Sequence, residues 1–141
     1  MKVRTSLALA GSAAALATAG LLAGPALASS ASATHTLKFT THPITQHPLG
    51  KEGGAELDKD THAGKIVAYD ALDFVSSNGA DVTLALPGGF LYGHFTVNTK
   101  TGVVAGKVTG GSGAYRGDTG TIKGQPVGKS GNSNVTVKYH H

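Results

Sequence analysis

Asp70 and its neighbour Tyr69 are the residues of this 141-residue chain best placed to do chemistry. They sit in the middle of an apolar run, Ile-Val-Ala-Tyr-Asp-Ala-Leu-Asp-Phe-Val, that spans residues 66–75. A carboxylate held in such surroundings can act as a general acid or base. The plainer alternative is an aspartate at a strand end. Asp73 lies at odd spacing from Asp70, so a regular strand would send the two to opposite faces. Tyr92 and Tyr115 offer further hydroxyls to a bound molecule, or else pack as core aromatics with the hydroxyl bonded at a rim. Arg116 reads as a surface corner residue. The seven histidines fall mainly near the ends of the exported chain: His35, His42, His47 and His62, then His94, then His140 and His141. They follow no short metal-binding spacing, so solvated loop and terminal histidines are expected rather than a metal site. No nucleophile elbow, no His-Glu-x-x-His motif and no cysteine is present. No cofactor is expected.

These residues need a frame, and one stretch organises it. Val108 to Gly120 holds five glycines, one tyrosine and one arginine in thirteen residues, between two runs of β type. Gly111-Ser112-Gly113 followed by Gly117 approaches a dinucleotide-binding fingerprint, but the spacing is one residue too long and a helix should follow. Gly117, Gly120 and Gly124 follow instead, and each would cost roughly 1 kcal/mol inside a helix. A tight, shaped corner between strands is the better reading, with Gly110, Gly111, Gly113, Gly117 and Gly120 as its structural residues.

This corner, Val-Thr-Gly-Gly-Ser-Gly-Ala-Tyr-Arg-Gly-Asp-Thr-Gly, resembles the Gly-Gly-Thr-Gly-x-Phe-x-x-Ala-x-Gly signature of the dirigent and allene oxide cyclase barrel families. The resemblance implies an antiparallel barrel of about eight strands. It also implies a small hydrophobic ligand held inside, as dirigents hold a phenolic intermediate and steer its coupling, and as the cyclases fold an epoxide and control its ring closure. An isomerase-like activity would follow. His42 matches the histidine that ends the first dirigent strand, but Pro43 stands where that family has its functional aspartate. Thr119 stands where it has a second arginine.

The rest of the chain is consistent with such a barrel. Leu37 and Phe39 alternate with Thr36, Lys38 and Thr40, which predicts a strand with one buried face. His42-Pro43 and His47-Pro48 should break it, and residues 51–64, charged and poor in large apolar side chains, read as a surface loop. Strands then follow over 66–75, 81–86, 90–97, 103–109, 119–125 and 134–139, joined by turn signals such as Asn78-Gly79 and Pro87-Gly88-Gly89. That makes about seven short strands and no helical period: an all-β sandwich or barrel. Short connections and the need to protect edge strands favour the small antiparallel barrel.

The predicted inner face carries Leu37, Phe39, Leu91, Phe95, Val97, Val104, Val108, Ile122, Val135, Val137 and Tyr139. Leu91, Tyr92, Phe95 and Tyr115 are the candidate ligand contacts. Gly93, Gly106 and Gly120 would either let strands coil tightly around a filled core or leave room for a ligand near the low end of the usual 300–1,000 Å³ range, taken as about 300 Å³. A ligand-binding barrel and a non-catalytic structural or interaction protein with a filled barrel are the two leading readings; a histidine metal site is the third.

Residues 1–33 read as a secretory signal peptide: Lys2 and Arg4, an Ala/Leu-rich run from Leu7 to Leu22, Gly24-Pro25, and small-x-small sites at Ala26-Leu27-Ala28 and Ala31-Ser32-Ala33. One domain over residues 34–141 would then be exported, with no membrane attachment after cleavage. Two of the twelve Lys and Arg lie in the signal, leaving ten against eight acidic residues, too balanced and too scattered for nucleic acid. Without cysteine, stability must come from the core or from homo-oligomerisation. Intact-mass analysis of culture supernatant is expected to show a chain beginning near Ser29 or Thr34. Recovery of Met1 on the exported form would overturn the signal reading.

Overall fold

The structure, a computed structural model, describes residues 32–49 and 53–141. The expected signal sequence lies outside the described residues except for its last two positions. Eight strands follow one another: β1 (His35–Leu49), β2 (Gly53–His62), β3 (Lys65–Ser76), β4 (Gly79–Leu86), β5 (Gly89–Val97), β6 (Val104–Gly113), β7 (Thr119–Pro126) and β8 (Ser133–His140). Each pairs antiparallel with the next, and β8 returns to β1, closing the barrel. Closure gives every strand two partners and removes the unpaired edges of an open sheet.

Seven of the strands coincide with the runs expected from period-two alternation. The eighth, β2, corrects the surface loop expected over residues 51–64. Its residues are too polar to look like a strand, but β1 and β3 pair along most of its length and supply the missing incentive. β1 also continues through both His-Pro pairs, to Leu49. It absorbs Pro43 at a shift of register between Pro43 and Thr45, where a missing ladder donor is tolerated.

The chain enters the barrel at His35 and leaves at His140, and this terminal end is filled. Phe39, Ala68, Leu84, Leu91, Val108, Ile122, Val137 and Tyr139 form one buried cluster, with Leu37, Leu86 and Tyr115 packed against it. The expected inner face is therefore inside. The glycines among it are not vacancies, however. A Cβ on Gly106 would lie 2.5 Å from the Phe95 Cβ, and one on Gly93 would lie 2.6 Å from the Ile122 Cδ1. They let neighbouring chain pack where a side chain would stand, which is the tight-coiling alternative.

The glycine corner joins β6 to β7 at the terminal end. Gly113 has φ +62°, and its Cβ would fall 2.2 Å from the Gly88 carbonyl oxygen. Gly120 has an ordinary extended backbone, but a Cβ there would meet the Lys138 carbonyl at 1.9 Å. Gly111 is held in the same way against Tyr115, and Gly117 has φ +86°. Gly110 differs: it has no positive φ, and a Cβ would meet nothing within 4 Å. The corner therefore requires four of its five glycines. Gly113→Val should cost more than the ~1 kcal/mol of a typical substitution. Gly110→Ala should be neutral or stabilise by up to about 1 kcal/mol, because alanine restricts the unfolded chain. Chemical denaturation of the two variants checks both, and equal losses would refute the distinction.

Candidate functional site

Strand geometry sends alternate side chains to opposite faces of the wall. In β3 the pairing with β2 and β4 turns Ala68, Asp70, Leu72 and Phe74 inward, and Tyr69, Ala71, Asp73 and Val75 outward. In β2 the same rule turns Glu56, Asp58 and Asp60 inward, while Leu57 faces water at 51% exposure. Hydrophobic order is thus inverted on this one strand. Asp58, Asp60 and Asp70 are 3%, 0% and 7% exposed, and Glu56 is half-buried.

Asp58 stands directly opposite Asp70 across the β2–β3 ladder. Side chains so paired have Cβ atoms about 5 Å apart, and like charges there repel. Asp60 lies one inward position deeper, between Thr41 of β1 and Ala68 of β3. Burial, first of all, pushes these carboxyls up. The group at Asp70 rises to about 8, with repulsion from Asp60 and then Glu56 added to burial. Asp58 rises to about 8 through burial, then Asp70, then Glu56. Asp60 rises to about 7, with Asp58 second to burial. Oδ1 of Asp58, both oxygens of Asp60 and Oδ1 of Asp70 have no hydrogen-bond partner. Glu56 does have one: Gln46 donates its side-chain amide to it.

Above Asp58 and Asp70 the distal end of the barrel is hollow. A cavity of about 170 Å³ is bounded by these two residues, Thr41, Glu56 and Ser133 on the polar side. Leu72, Phe74, Phe95, Val97, Val104, Ile122 and Val135 make its apolar wall, and Gly102 and Gly131 come from the loops around its mouth. It is smaller than the ~300 Å³ expected, because Gly93 and Gly106 open no space and the terminal half is filled. Among the described residues no cluster of three or more His, Cys, Asp or Glu side chains is arranged to hold a metal ion.

Of the candidates singled out from sequence, Asp70 and Phe95 reach this cavity. Tyr69 is half exposed on the outer face and Tyr92 faces out beside it in parity, because Leu91, Gly93 and Phe95 take the inward positions of β5. Leu91 is buried in the terminal-end cluster. Tyr115 stays at the corner, donating its hydroxyl to the Pro87 carbonyl at 2.9 Å and meeting Tyr139 edge-on. The site residues that sequence reasoning missed are Glu56, Asp58 and Asp60. Their signal was present: three acids at i, i+2 and i+4 share one face of any strand. The register adds a further point. Pro43, standing where the resemblance placed a functional aspartate, pairs with Asp58. The inward carboxyl of Asp58 therefore lies on the strand beside Pro43.

No family model matches the chain, and no curated protein matches it. Among solved structures it is similar to a pyocyanin demethylase, with TM-score 0.59 and 21% identity over 74% of this chain and 99% of the other. It is also similar to a pterocarpan synthase dirigent protein, with TM-score 0.57 and 17% identity over 78% of this chain and 89% of the other. At these identities the likeness shows the fold alone: the chain has an eight-stranded antiparallel barrel fold of the allene oxide cyclase/dirigent-like kind.

The buried carboxyls have a thermodynamic consequence. An unfolded aspartate gives up its proton near 3.8, whereas the folded group at Asp70 keeps it to about 8. Between these values the folded state binds more protons than the unfolded one, so this group's contribution to stability falls as pH rises and levels off above about 8. Asp70→Asn removes that slope. The melting temperature of the variant relative to the parent should climb from pH 5 to pH 8. A constant difference would mean that Asp70 ionises normally.

Proposed function

We propose that this is an exported barrel that binds a one-ring, mostly apolar molecule in its distal cavity and uses the Asp58–Asp70 pair for proton transfer. The observation that carries the reading is the pair itself: two buried carboxyls with unpartnered oxygens, lining a largely apolar cavity. Buried polar groups are normally satisfied within the protein, and exceptions call for an explanation such as a catalytic role or a missing ligand. The size argues for one ring, since a cavity of about 150 Å³ is known to accept benzene. Carboxyls pushed into the neutral range hold protons at the pH where they would be needed, which suits an acid or base in a reacting site.

Steering of a cyclisation or coupling fits this arrangement. The apolar wall would restrict the substrate to one folded conformer, and a carboxyl at the floor would give or take the proton that the ring closure requires. The neighbouring folds, a pyocyanin demethylase and a pterocarpan synthase dirigent protein, lend the reading general support as small-molecule barrels. The alternative, a filled and purely structural barrel, accounts for the terminal half only.

A thermal-shift screen of one-ring, two-ring and long-chain compounds tests the proposal. One-ring compounds should stabilise the protein, by about 2.7 kcal/mol at a hundredfold excess over Kd. Val135→Phe, which projects a ring into the cavity from β8, should abolish the shift while leaving the unliganded melting temperature within a few degrees. An unchanged shift in that variant would move binding elsewhere, and silence across the whole screen would remove the ligand-binding reading.

A further inference from the structure

The proposed ligand site has a sign. Two lining carboxyls, Asp58 and Asp70, are more than nine-tenths buried and each keeps one oxygen without a donor. Glu56 lines the cavity beside them, and Asp60 sits just beneath. Facing them from the other strands are Thr41 of β1, Leu84 of β4, Phe95 of β5, Val104 of β6, Ile122 of β7 and Val135 of β8, none of which titrates. Among the described residues no Lys, Arg or His lines the cavity. His42 points away from it and is bonded to Thr61. An anionic ligand would therefore meet repulsion with nothing to answer it. The Thr41 and Ser133 hydroxyls are its neutral donors; what the site lacks is positive charge, and an ammonium brings one charge with three donors. Phe74 and Phe95 on the wall offer aromatic faces to the same charge.

We propose that the cavity selects small organic cations: one-ring molecules carrying a protonated amine, with the ammonium between Asp58 and Asp70 and the ring against Phe74 and Phe95. This rests on the reading of the distal cavity as a ligand site and narrows its ligand class. Entry of the cation offsets the burial and the repulsion that keep the carboxyls protonated, so binding expels a proton. Affinity then rises with pH for as long as the ammonium itself stays charged. A neutral ligand that accepts a hydrogen bond from a protonated carboxyl would behave oppositely.

Three probes of nearly one shape separate the cases: benzylammonium, benzyl alcohol and benzoate. Calorimetric titration of the protein at pH 6, 7 and 8, each in two buffers of different ionisation enthalpy, reads affinity and proton release together. Benzylammonium should bind at least tenfold more tightly than benzyl alcohol at pH 8, gain up to about tenfold per pH unit, and release close to one proton. Benzoate should not bind. In Asp58→Asn/Asp70→Asn the preference for the ammonium should vanish while benzyl alcohol still binds, which also reports that the variant is folded. The pH and proton-release measurements stand without that variant. Equal affinities for the amine and the alcohol, or an affinity for the amine that falls with pH, would overturn the cation proposal while leaving a ligand site for neutral molecules. Failure of all three probes would overturn both.

Discussion

Closure of the barrel is the constraint on which the rest depends. Once eight strands pair in a ring, each side chain has only two destinations, and neighbours along a strand must take opposite ones. β2 gains two ladders of backbone hydrogen bonds from β1 and β3. Its own side chains would favour the opposite facing, with Leu57, its one large apolar residue, inside and the acids in water. A slip of one residue would bury Leu57 and Lys59 and release the acids to water. The Ala63–Gly64 turn into β3, with both residues at positive φ, holds the register that does the reverse. The carboxyls are thus driven inside by the backbone, against their own hydration, and answer by keeping their protons.

What the sequence made legible was the part of the barrel that hydrophobic alternation builds. Phe39, Leu91, Val108, Ile122, Val137 and Tyr139 could be assigned to the interior because their strands obey the ordinary rule, apolar side in. The corner could be read because Gly111, Gly113, Gly117 and Gly120 answer local needs of backbone and contact. Glu56, Asp58 and Asp60 could not be read by the same rule, because there the rule fails. Local and global preferences conflict along β2 and again at Asp70 of β3. In natural proteins such conflicts concentrate at functional sites, where stability is given up for chemistry. Tyr69 and Tyr92 were attractive for their chemistry, yet parity decides their fate: each lies next to inward residues and so faces out.

The barrel is divided along its axis, and glycine makes the division. Midway along the barrel, Gly93 and Gly106 admit backbone and the bulk of Ile122 and Phe95, and the terminal half beyond them is filled by a continuous core. In the distal half, Leu72, Phe74, Phe95, Val97, Val104, Ile122 and Val135 form walls around the cavity. The acids occupy the boundary. Asp60, at the deeper position, is wholly buried with neither oxygen bonded, while Asp58 and Asp70 look up into the cavity. Asp60 therefore caps the packed core, while Asp58 and Asp70 floor the hollow one.

The distribution of charge across the wall follows from the same parity. Lys38, Lys107, Lys123 and Lys138 are exposed on the outer face, and Lys59 lies between Asp58 and Asp60 in sequence but across the sheet from both. An ammonium in water is screened over about 8 Å at physiological salt, whereas charges inside a dry wall are not. The outer lysines therefore give the domain its mild positive charge without neutralising its interior. None of the influences on the three buried carboxyls is a cation; burial and other acids account for all of them. The interior has two ways to relieve that field. It can retain protons, as it does when empty, or exchange one for a positive charge brought from outside. A site built so responds to ligand charge more steeply than to ligand shape, because the walls tolerate small differences of contour while the floor has no counter-charge of its own.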